Sequence, residues 1–138
     1  MQWTDDENAG FTDGTPWLAM NPNYRQINVR EQVLAYYRRL VHLRKADAYR
    51  ETFTYGIFEP AYQEMADVFA YYRVSGESGQ RILVAANFGT DAVSLPLAYP
   101  CRQVLLSNLR AESAVETACE KANALTLESC EVAVIELG

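Results

Sequence analysis

The spacing of apolar residues changes along the chain, and its first segment follows no regular period. Residues 1–28 mix the aromatic side chains of Trp3 and Trp17 with turn-forming pairs such as Asn21-Pro22. An irregular segment of this length is uncommon inside a compact domain and usually carries function. We therefore expect an aromatic loop at the start of the chain.

Helical periodicity follows and predicts a helix over residues 29–46. Asn28 is a suitable N-cap, Glu31 takes the capping-box position, and Arg44 and Lys45 fall in the last turn. At about 100° per residue, a set of apolar side chains shares one face, and such a stripe requires burial against a partner. The stripe consists of Val33, Tyr36, Tyr37, Leu40 and Leu43.

Two polar residues of this helix are candidates for a functional role. His42 points away from the stripe, so a solvent-exposed position is favoured over a role as ligand or base. Arg44 falls near the centre of the stripe, and its guanidinium must either escape at the helix end or meet a buried carboxylate. Escape is the favoured interpretation.

From residue 52 the pattern changes to a period of two or to short continuous apolar runs, which is typical of strands. The Gly-rich link 75–79 predicts a hairpin between the second and third strands, and the third, apolar on both faces, is placed centrally. Closely spaced strands without intervening helices predict a mainly β fold, an antiparallel sandwich or barrel. The predicted strands cover residues 52–58, 68–74, 81–88, 92–97, 103–107, 124–127 and 132–137.

Length and charge limit the classes of partner. The 138 residues favour one domain, or one small domain with an attached element. With 12 Lys and Arg against 18 Asp and Glu, the net charge is −6, and no basic stripe is present through which nucleic acid would bind. The apolar runs fall far short of the roughly 20 residues of a membrane span, and no export signal is recognisable. We therefore expect neither nucleic acid nor a membrane as a partner.

The cysteines indicate the compartment. Cys101, Cys119 and Cys130 form an odd set without a CxxC pair. This pattern predicts neither a disulfide framework nor a zinc site. Free thiols in a reducing environment are the expectation, which places the protein in the cytoplasm.

The acidic cluster Asp5-Asp6-Glu7 is the first candidate for chemistry, because carboxylate oxygens are preferred ligands of calcium. An EF-hand loop requires a Glu at a set spacing after its glycine, and neither Gly10 nor Gly14 is followed by one. Adjacent carboxylates on one exposed loop also lack the facing geometry of a glycosidase acid and nucleophile. We therefore predict no metal, no cofactor and no catalytic residue in this cluster.

The remaining candidates are a nucleophilic triad and an aromatic platform for sugars. No serine lies in a GxSxG turn and His42 is the sole histidine, so acyl transfer is not predicted. Tyr62, Tyr71, Tyr72 and Phe88 are suited to stack on pyranose rings, but their period of two favours packing in the core and at the edge of the sheet. The composition disfavours an independent enzyme.

Several short motifs occur in a recognisable order. They are Met1-Gln2-Trp3, Asn8-Ala9-Gly10-Phe11-Thr12, Thr15-Pro16-Trp17, Asn21-Pro22-Asn23-Tyr24, Tyr36-Tyr37-Arg38-Arg39-Leu40, Phe69-Ala70-Tyr71 and Leu83-Val84-Ala85-Ala86-Asn87-Phe88. On these motifs the chain resembles, over nearly its whole length, the late segment of the α-glucosidase branch of the α-amylase family, glycoside hydrolase family 13. This branch includes oligo-1,6-glucosidase, dextran glucosidase and trehalose-6-phosphate hydrolase. The resemblance is loose over residues 111–130.

The resemblance implies a position in a larger fold. Residues 1–46 correspond by resemblance to the end of a (β/α)8 catalytic barrel, namely the loop after its eighth strand and its last helix. Residues 47–138 then form the C-terminal antiparallel β-sandwich, and the missing barrel is the expected partner of the helix stripe. In related sequences an Arg-Thr-Pro run leads into the Met-Gln-Trp motif, so Met1 resembles an internal methionine and the chain a fragment.

The resemblance also implies an activity for the intact enzyme. Such enzymes hydrolyse α-glucosides of short oligosaccharides with retention, using a nucleophilic Asp, an acid/base Glu and a stabilising Asp, all upstream of this region. No carboxylate of this chain matches those motifs, so the chain alone is expected to be inactive and to support the barrel. By resemblance Gln2, Trp3 and Asn8 lie at the rim of the sugar site. The alternatives are a carbohydrate-binding module and self-association through the helix stripe.

Overall fold

The protein, described by a computed structural model, divides into two compact units, Met1–His42 and Leu43–Gly138. The structure describes residues 2–138, apart from the side chains of Glu31 and Glu120. Met1, which opens the first family motif, and the predicted capping contact of Glu31 lie outside the described residues.

The first unit begins with an irregular segment, as its lack of periodicity predicts. Short 3₁₀ turns occupy Glu7–Gly10 and Pro22–Arg25, and the proline stands at the start of its turn, where no N–H is needed. The Asn21 side chain caps this turn by accepting a hydrogen bond from the main-chain N–H of Asn23 (3.2 Å). The remaining described part of the loop has no regular secondary structure.

The predicted helix over residues 29–46 starts differently from the prediction. Val29–Leu34 forms a π-helical turn of 6 residues, and the helix α1 covers Ala35–Lys45. The main-chain N–H groups of Val29 and Arg30 bond to the carbonyls of residues 2 and 3 at 2.9 and 3.0 Å, so this turn is fixed to the loop before it. A π turn bonds residue i to i+5 instead of i+4, and periodicity over so short a stretch does not separate the two.

The apolar stripe of this helical segment remains accessible. Val33, Tyr37 and Leu40 are 50%, 60% and 37% exposed. Tyr36 and Leu43 are partly buried. The burial that the amphipathic pattern predicts is therefore not complete in this chain.

A second helix, α2, covers Asp47–Tyr55, so the strand predicted over 52–58 is wrong for most of its length. Two hydrogen bonds join α2 to the sheet. Tyr49 Oη donates to Glu136 Oε2 at 3.3 Å. The Thr52 hydroxyl donates to the side-chain carbonyl of Gln80. The strand preference of threonine and aromatic residues is weak and depends on context, so these contacts decide in favour of the helix.

The end of α2 is fixed by its neighbours. The Arg73 guanidinium donates to the carbonyls of Thr52, Phe53 and Thr54 at 3.4, 3.2 and 3.4 Å, which satisfies main-chain acceptors that a helix end leaves free. Gly56 follows, where a Cβ would press against the Thr52 carbonyl oxygen. Only glycine fits this close approach of helix and sheet.

Seven strands follow in the second unit, and six of them lie within two residues of the predicted bounds. They are β1 (Ile57–Ala61), β2 (Val68–Val74), β3 (Arg81–Asn87), β4 (Val93–Pro96), β5 (Cys101–Ser107), β6 (Ala124–Leu127) and β7 (Val132–Leu137). Five form one antiparallel sheet in the order β1-β2-β3-β7-β5, and β4 pairs with β6 in a second antiparallel sheet.

The predicted hairpin and the predicted central strand are both confirmed. β2 and β3 pair with Val74 opposite Arg81, and β3 lies in the middle of the five-stranded sheet. The described chain is thus mostly antiparallel sheet with few helices, as predicted.

A third helix, α3, covers Glu112–Ala122 between β5 and β6 and corrects the prediction of a single amphipathic helix. Val115 and Cys119, four residues apart, are each 1% exposed and form its buried face. This spacing is a helical signal, but it spans one short segment where the family resemblance is loose. No helix within residues 2–138 combines the length and apolar character needed to cross a membrane.

One hydrophobic cluster joins both sheets and α3. Leu83 of β3 and Ile135 of β7 are opposite each other in the register, and both are 0% exposed. Leu95 of β4 and Leu125 of β6 are also 0% exposed within this cluster. Burying each such side chain stabilises the fold by roughly 1.5–3 kcal/mol relative to leaving it in water.

Candidate functional site

Gln2, the first of the three predicted rim residues, holds the irregular loop of the first unit together. Its side-chain amide nitrogen donates to the Asn21 carbonyl (3.2 Å) and to Asn23 Oδ1 (2.9 Å). Its main-chain carbonyl accepts from the N–H of Val29 at 2.9 Å. Gln2 therefore joins three parts of the loop, and both hydrogens of its amide are used within the protein.

Asn8, the second of them, stabilises a strained turn. Asn8, Ala9 and Gly10 have φ angles of 57°, 54° and 65°, a left-handed region that costs a non-glycine residue about 1–2 kcal/mol. The Asn8 amide nitrogen donates to the carbonyls of Thr12 (3.0 Å) and Gly14 (2.9 Å), which offsets part of this cost. The Asn8 side chain therefore stabilises the turn formed by residues 8–10.

Trp3 keeps its ring accessible. Its main-chain N–H donates to the Ala9 carbonyl (3.0 Å), and its carbonyl accepts from the N–H of Arg30 (3.0 Å). The residue is nevertheless 46% exposed. An indole held by its main chain and open to solvent is suited to pack against the apolar face of a ring-shaped ligand.

A cavity of about 680 Å³ opens within the same loop, inside the range of roughly 300–1,000 Å³ of ligand sites. Gln2 lines it together with Phe11 and Trp17, whereas Trp3 and Asn8 lie outside its lining. Trp17 is 86% exposed. Neither Phe11 nor Trp17 was predicted at the rim, although aromatic residues clustered among turn-forming residues are a signal for such a surface.

The acidic residues of this loop form a surface ion pair. Arg30 Nη1 lies 3.3 Å from Asp6 Oδ2 and 3.9 Å from Asp5 Oδ1, and all three side chains are more than half exposed. No carboxylate is among the described residues that line the cavity. Within residues 2–138 no group of three His, Cys, Asp or Glu is arranged to hold a metal ion. The described lining of the cavity consists of aromatic, aliphatic and neutral polar side chains.

His42 and Arg44 take the positions that the helical pattern predicts. Both residues are exposed. The solvent-exposed position of His42 is therefore confirmed, whereas the escape of the Arg44 guanidinium from the stripe stays a prediction.

The four aromatic residues weighed as a sugar platform do not form one surface. Tyr62 and Tyr72 pack against the hydrophobic core, and the Tyr62 hydroxyl donates to the Pro96 carbonyl at 2.7 Å. Burial, and then the neighbouring Tyr72 hydroxyl, raise the pKa of Tyr62. Tyr71 points to the other side of β2, since side chains alternate along a strand, and Phe88 is 73% exposed. Core packing is confirmed for Tyr62 and Tyr72.

Tyr71 belongs instead to a cluster of three rings, the β1–β2 aromatic patch. The Tyr71 ring centroid lies 4.9 Å from that of Phe58 and 5.7 Å from that of Phe69. Phe58 and Phe69 are 50% and 56% exposed. The patch is an apolar surface that the sequence does not predict, because its members lie on two different strands.

A buried ion pair holds the end of the sheet. The Arg110 guanidinium donates to both oxygens of Glu131, with Nη2 2.7 Å from Oε2, and Glu131 is 0% exposed. The Ser107 hydroxyl and the Glu128 N–H donate to the same carboxylate at 3.0 and 2.8 Å. Burial alone would raise the pKa of Glu131, but the hydrogen bonds from Arg110, Glu128 and Ser107 outweigh it and lower the pKa. Both oxygens of the Glu131 carboxylate accept hydrogen bonds within the protein, which indicates a structural role for this residue.

Comparison with known proteins shows to which protein family the chain is related. The family model of the α-amylase catalytic domain matches residues 1–56. Oligo-1,6-glucosidase from Parageobacillus thermoglucosidasius is 36% identical over 126 residues, which are 84% of this chain and 22% of that protein. This chain is a homologue of α-amylase-family glucosidases. The resemblance indicated by the motifs is thereby confirmed.

Further α-amylase-family homologues match almost the whole chain. Glucan 1,6-α-glucosidase from Streptococcus pneumoniae is 35% identical over 122 residues, again 84% of this chain and 22% of that protein. The solved structure of isomaltulose synthase from Klebsiella sp. LX3 has a TM-score of 0.69 at 30% identity, over 99% of this chain and 24% of that one. The chain thus spans less than a quarter of these relatives.

The family match divides the chain unequally. Gln2, Trp3 and Asn8, the cavity and both first helices lie within residues 1–56, which match the catalytic-domain model of the α-amylase family. All seven strands begin after this match.

Proposed function

We propose that this chain is the C-terminal part of a retaining α-glucoside hydrolase that acts on short oligosaccharides. In this proposal residues 1–46 complete the catalytic barrel as its last loop and helix, and residues 47–138 form the C-terminal β-sandwich that supports it. The match of the catalytic-domain family model to residues 1–56 carries the proposal. The glucosidase homologues along most of the chain support the substrate class.

The isolated chain is not catalytic in this proposal. Retaining hydrolysis requires two carboxyl groups about 5–5.5 Å apart, facing each other across the scissile bond. Asp5 and Asp6 instead pair with Arg30 at the surface. Glu131 is buried, and both its oxygens are bound. In this proposal the catalytic carboxylates belong to a part of the barrel outside this chain.

The partner of the exposed stripe is that barrel. The stripe presents side chains such as Tyr37 and Val33, 60% and 50% exposed, on one side of a helical segment. An apolar surface of this kind is normally covered in a finished protein. We assign its cover to the catalytic barrel, which gives the chain its supporting role.

The three rim residues have different roles in this proposal. Trp3, held by its main chain with an accessible ring, contacts the sugar. Gln2 and Asn8, whose amide hydrogens are used inside the loop, hold the loop in position. The α-glucoside is bound at this rim only in the intact enzyme.

Activity measurements on the purified chain test the non-catalytic part of the proposal. We expect no release of p-nitrophenol from p-nitrophenyl α-glucoside, with oligo-1,6-glucosidase from Parageobacillus thermoglucosidasius as the positive control. Cleavage above the buffer rate by the purified chain would contradict it.

The DNA upstream of the Met1 codon tests the remainder. We expect an open frame that encodes a barrel with three catalytic carboxylates. A stop codon and ribosome-binding site directly before Met1 would overturn the proposal that the chain is part of a larger hydrolase.

The β1–β2 aromatic patch favours a second candidate function, a carbohydrate-binding module. Two of its rings, Phe58 and Phe69, are at least half exposed and suited to stack on sugars. Isothermal titration with maltooligosaccharides and isomaltose measures this directly. Phe69→Ala should remove the heat of binding, whereas Phe88→Ala, at an exposed phenylalanine outside the patch, should keep it. No heat at millimolar sugar would reject the module.

The stripe itself favours self-association as another candidate. Sedimentation velocity of the chain should then show dimers that Tyr37→Asp abolishes, because a charge would be buried in the contact. A monomer at high protein concentration rejects this function.

We also propose a cytoplasmic location, supported by the three cysteines, which form no disulfide in the described part of the chain. Fractionation of the source cells, followed by detection of the chain with an antibody, tests it. Recovery from the secreted fraction would contradict the location.

A further inference from the structure

Asp13 and Gly14 form the single Asp-Gly pair of the chain, and no asparagine is followed by a glycine. Both residues are exposed and lie between the turns Glu7–Gly10 and Pro22–Arg25, in a part of the loop without regular secondary structure. Glycine has no Cβ, so its nitrogen is not shielded by a side chain. The Asp13 carboxyl carbon and the Gly14 nitrogen are thus two atoms that can close a five-membered ring.

Three hydrogen bonds hold the main chain around Asp13. The Asn8 amide nitrogen donates to the carbonyls of Thr12 (3.0 Å) and Gly14 (2.9 Å), and the Gly14 N–H donates to Thr12 Oγ1 (3.1 Å). None of these three bonds engages the Asp13 carboxylate. Only the bond from the Gly14 N–H has to break before the nitrogen reacts, and one neutral hydrogen bond at the surface adds little net stability.

We propose that Asp13 is a site of spontaneous main-chain isomerisation, which converts it to isoaspartate and releases the turn that Asn8 holds. The reaction requires only this loop and water. It therefore does not depend on the proposed hydrolase function, and the failure of one leaves the other standing.

The reaction has two steps. The Gly14 nitrogen attacks Cγ of the protonated Asp13 carboxyl group. A carbon–nitrogen bond forms, the nitrogen gives up its proton, and one water molecule leaves, so that a cyclic imide results. Water then adds to one of the two imide carbonyls that residue 13 provides. Addition at Cγ restores aspartate, whereas addition at the main-chain carbonyl carbon breaks its bond to nitrogen and gives isoaspartate. One water leaves and one returns, so the mass of the chain does not change.

Isoaspartate lengthens the main chain by one carbon atom, because the chain then runs through Cβ and Cγ of residue 13. The Thr12 and Gly14 carbonyls stand on either side of this residue, and one amide nitrogen bonds both. The inserted atom changes their separation, so Asn8 loses at least one of the two bonds. These bonds stabilise the left-handed φ angles of Asn8 and Ala9, 57° and 54°. Isomerisation therefore loosens the turn.

Incubation of the purified, folded chain in mildly acidic buffer tests the site. Protein isoaspartyl methyltransferase, which methylates isoaspartate from S-adenosylmethionine, measures the product. We expect methyl acceptance to rise with time, and tandem mass spectrometry to place isoaspartate at residue 13, together with a minor species that is lighter by one water. The other five aspartates, each followed by a residue with a side chain, should stay unmodified and serve as internal controls.

Gly14→Ala is the matched control, because a Cβ at Gly14 meets Thr12 Oγ1 at 3.7 Å, an ordinary contact that leaves the loop in place. Its methyl group shields the nitrogen, so the methyl acceptance of the chain should fall. Asp13→Glu, whose ring would need six members, should lose the signal. Asp13→Asn should reach the same imide faster, with loss of ammonia instead of water.

Amide hydrogen exchange measures the effect on the turn. The Phe11 N–H donates to the Asn8 carbonyl at 3.0 Å, and it should exchange faster in the isoaspartate form than in the fresh chain. The amides of the central strand β3 should exchange equally in both. An isoaspartate content at residue 13 no higher than in Gly14→Ala, or equal exchange of the Phe11 N–H in the two forms, would overturn the proposal.

Discussion

Replacing Arg110 with alanine should destabilise the second unit, because it leaves the Glu131 carboxylate buried without its counter-ion. Glu131 is 0% exposed and would keep only the donors from Ser107 and Glu128. The substitution also removes the bond from Arg110 Nη2 to the Thr126 carbonyl at 2.6 Å. This bond joins the segment after β5 to β6, so the variant loses a link between the two sheets.

The expected loss is about 3 kcal/mol. Removing one partner of a buried ion pair costs about 3–5 kcal/mol. The lower end applies here, because the Arg110 side chain is 26% exposed and water can replace part of its interaction. Domains of this size are stable by about 5–15 kcal/mol, so the loss is a large share of the total.

Urea denaturation followed by circular dichroism measures this loss. With an m-value of about 1–3 kcal/mol/M, the midpoint should fall by about 1–3 M. Arg102→Ala is the matched control, because it also removes one positive charge. The Arg102 guanidinium lies 3.7 Å from the Glu136 carboxylate, and the Arg102 side chain is 70% exposed. Its cost should be about 0–1 kcal/mol, because the Arg102 side chain is largely in water and the Glu136 carboxylate keeps its hydrogen bonds from Tyr49 and Gln80. Equal midpoints for the two variants would refute the reasoning.

Arg110→Lys provides a second test in case Arg110→Ala does not fold. Arg110→Lys keeps the charge and loses the bidentate contact with the carboxylate. Its midpoint should lie below that of Arg102→Ala. A midpoint equal to that of the unsubstituted chain would again contradict the role of the Arg110 guanidinium.

The same pair makes stability depend on pH. The pKa of Glu131 is lower in the folded chain than its ordinary value of 4.5, so its contribution is present above that value and is lost as the pH falls through the folded pKa. Glu131→Gln removes this contribution. The urea midpoints of the two chains should therefore differ most near neutral pH and converge in acid, and a constant difference would contradict this sign.

The remaining predictions concern the backbone and the thiols. Gly56→Ala presses a Cβ against main-chain oxygens and should cost about 1–3 kcal/mol in urea, whereas Gly76→Ala, which meets open space, should be near neutral; equal effects would contradict the close approach. In the reduced folded chain Ellman's reagent should modify the exposed Cys130 at once and the buried Cys119 only on unfolding, so fast reaction at Cys119 would count against its burial. Asn123, the residue that ends α3, has a φ of 47°. In the same urea assay Asn123→Val should therefore cost about 1–2 kcal/mol and Asn123→Gly a few tenths of a kcal/mol. Equal midpoints for the two variants would exclude a strained cap.

Most strands could be predicted because their signal is local. β2, β6 and β7 have their predicted bounds, since each alternates or runs apolar over its whole length and ends at polar or turn-forming residues. The hairpin of β2 and β3 follows from the short Gly-rich link between them. The aromatic loop of residues 1–28 was predictable in the same way, from the absence of any period.

The candidate site could be predicted only in part. Gln2, Trp3 and Asn8 were named from a family resemblance, and their spacing says nothing about which of them uses its amide internally. Only the folded loop shows that the amide N–H groups of Gln2 and Asn8 donate to oxygen atoms within the loop. It also shows that Trp3 stays exposed. The cavity that Gln2 lines likewise forms only when distant parts of the loop come together.

The sequence by itself determined the mainly antiparallel architecture, the positions of most strands and the amphipathic face of α1, because these depend on neighbours a few residues apart. The tertiary structure decided that residues 47–55 form a helix, that β7 lies between β3 and β5, and that Glu131 is buried against Arg110. Each of these outcomes depends on partners far away along the chain. A hydrogen bond or ion pair between such partners adds its free energy only after the fold has brought them together, so no local pattern contains it.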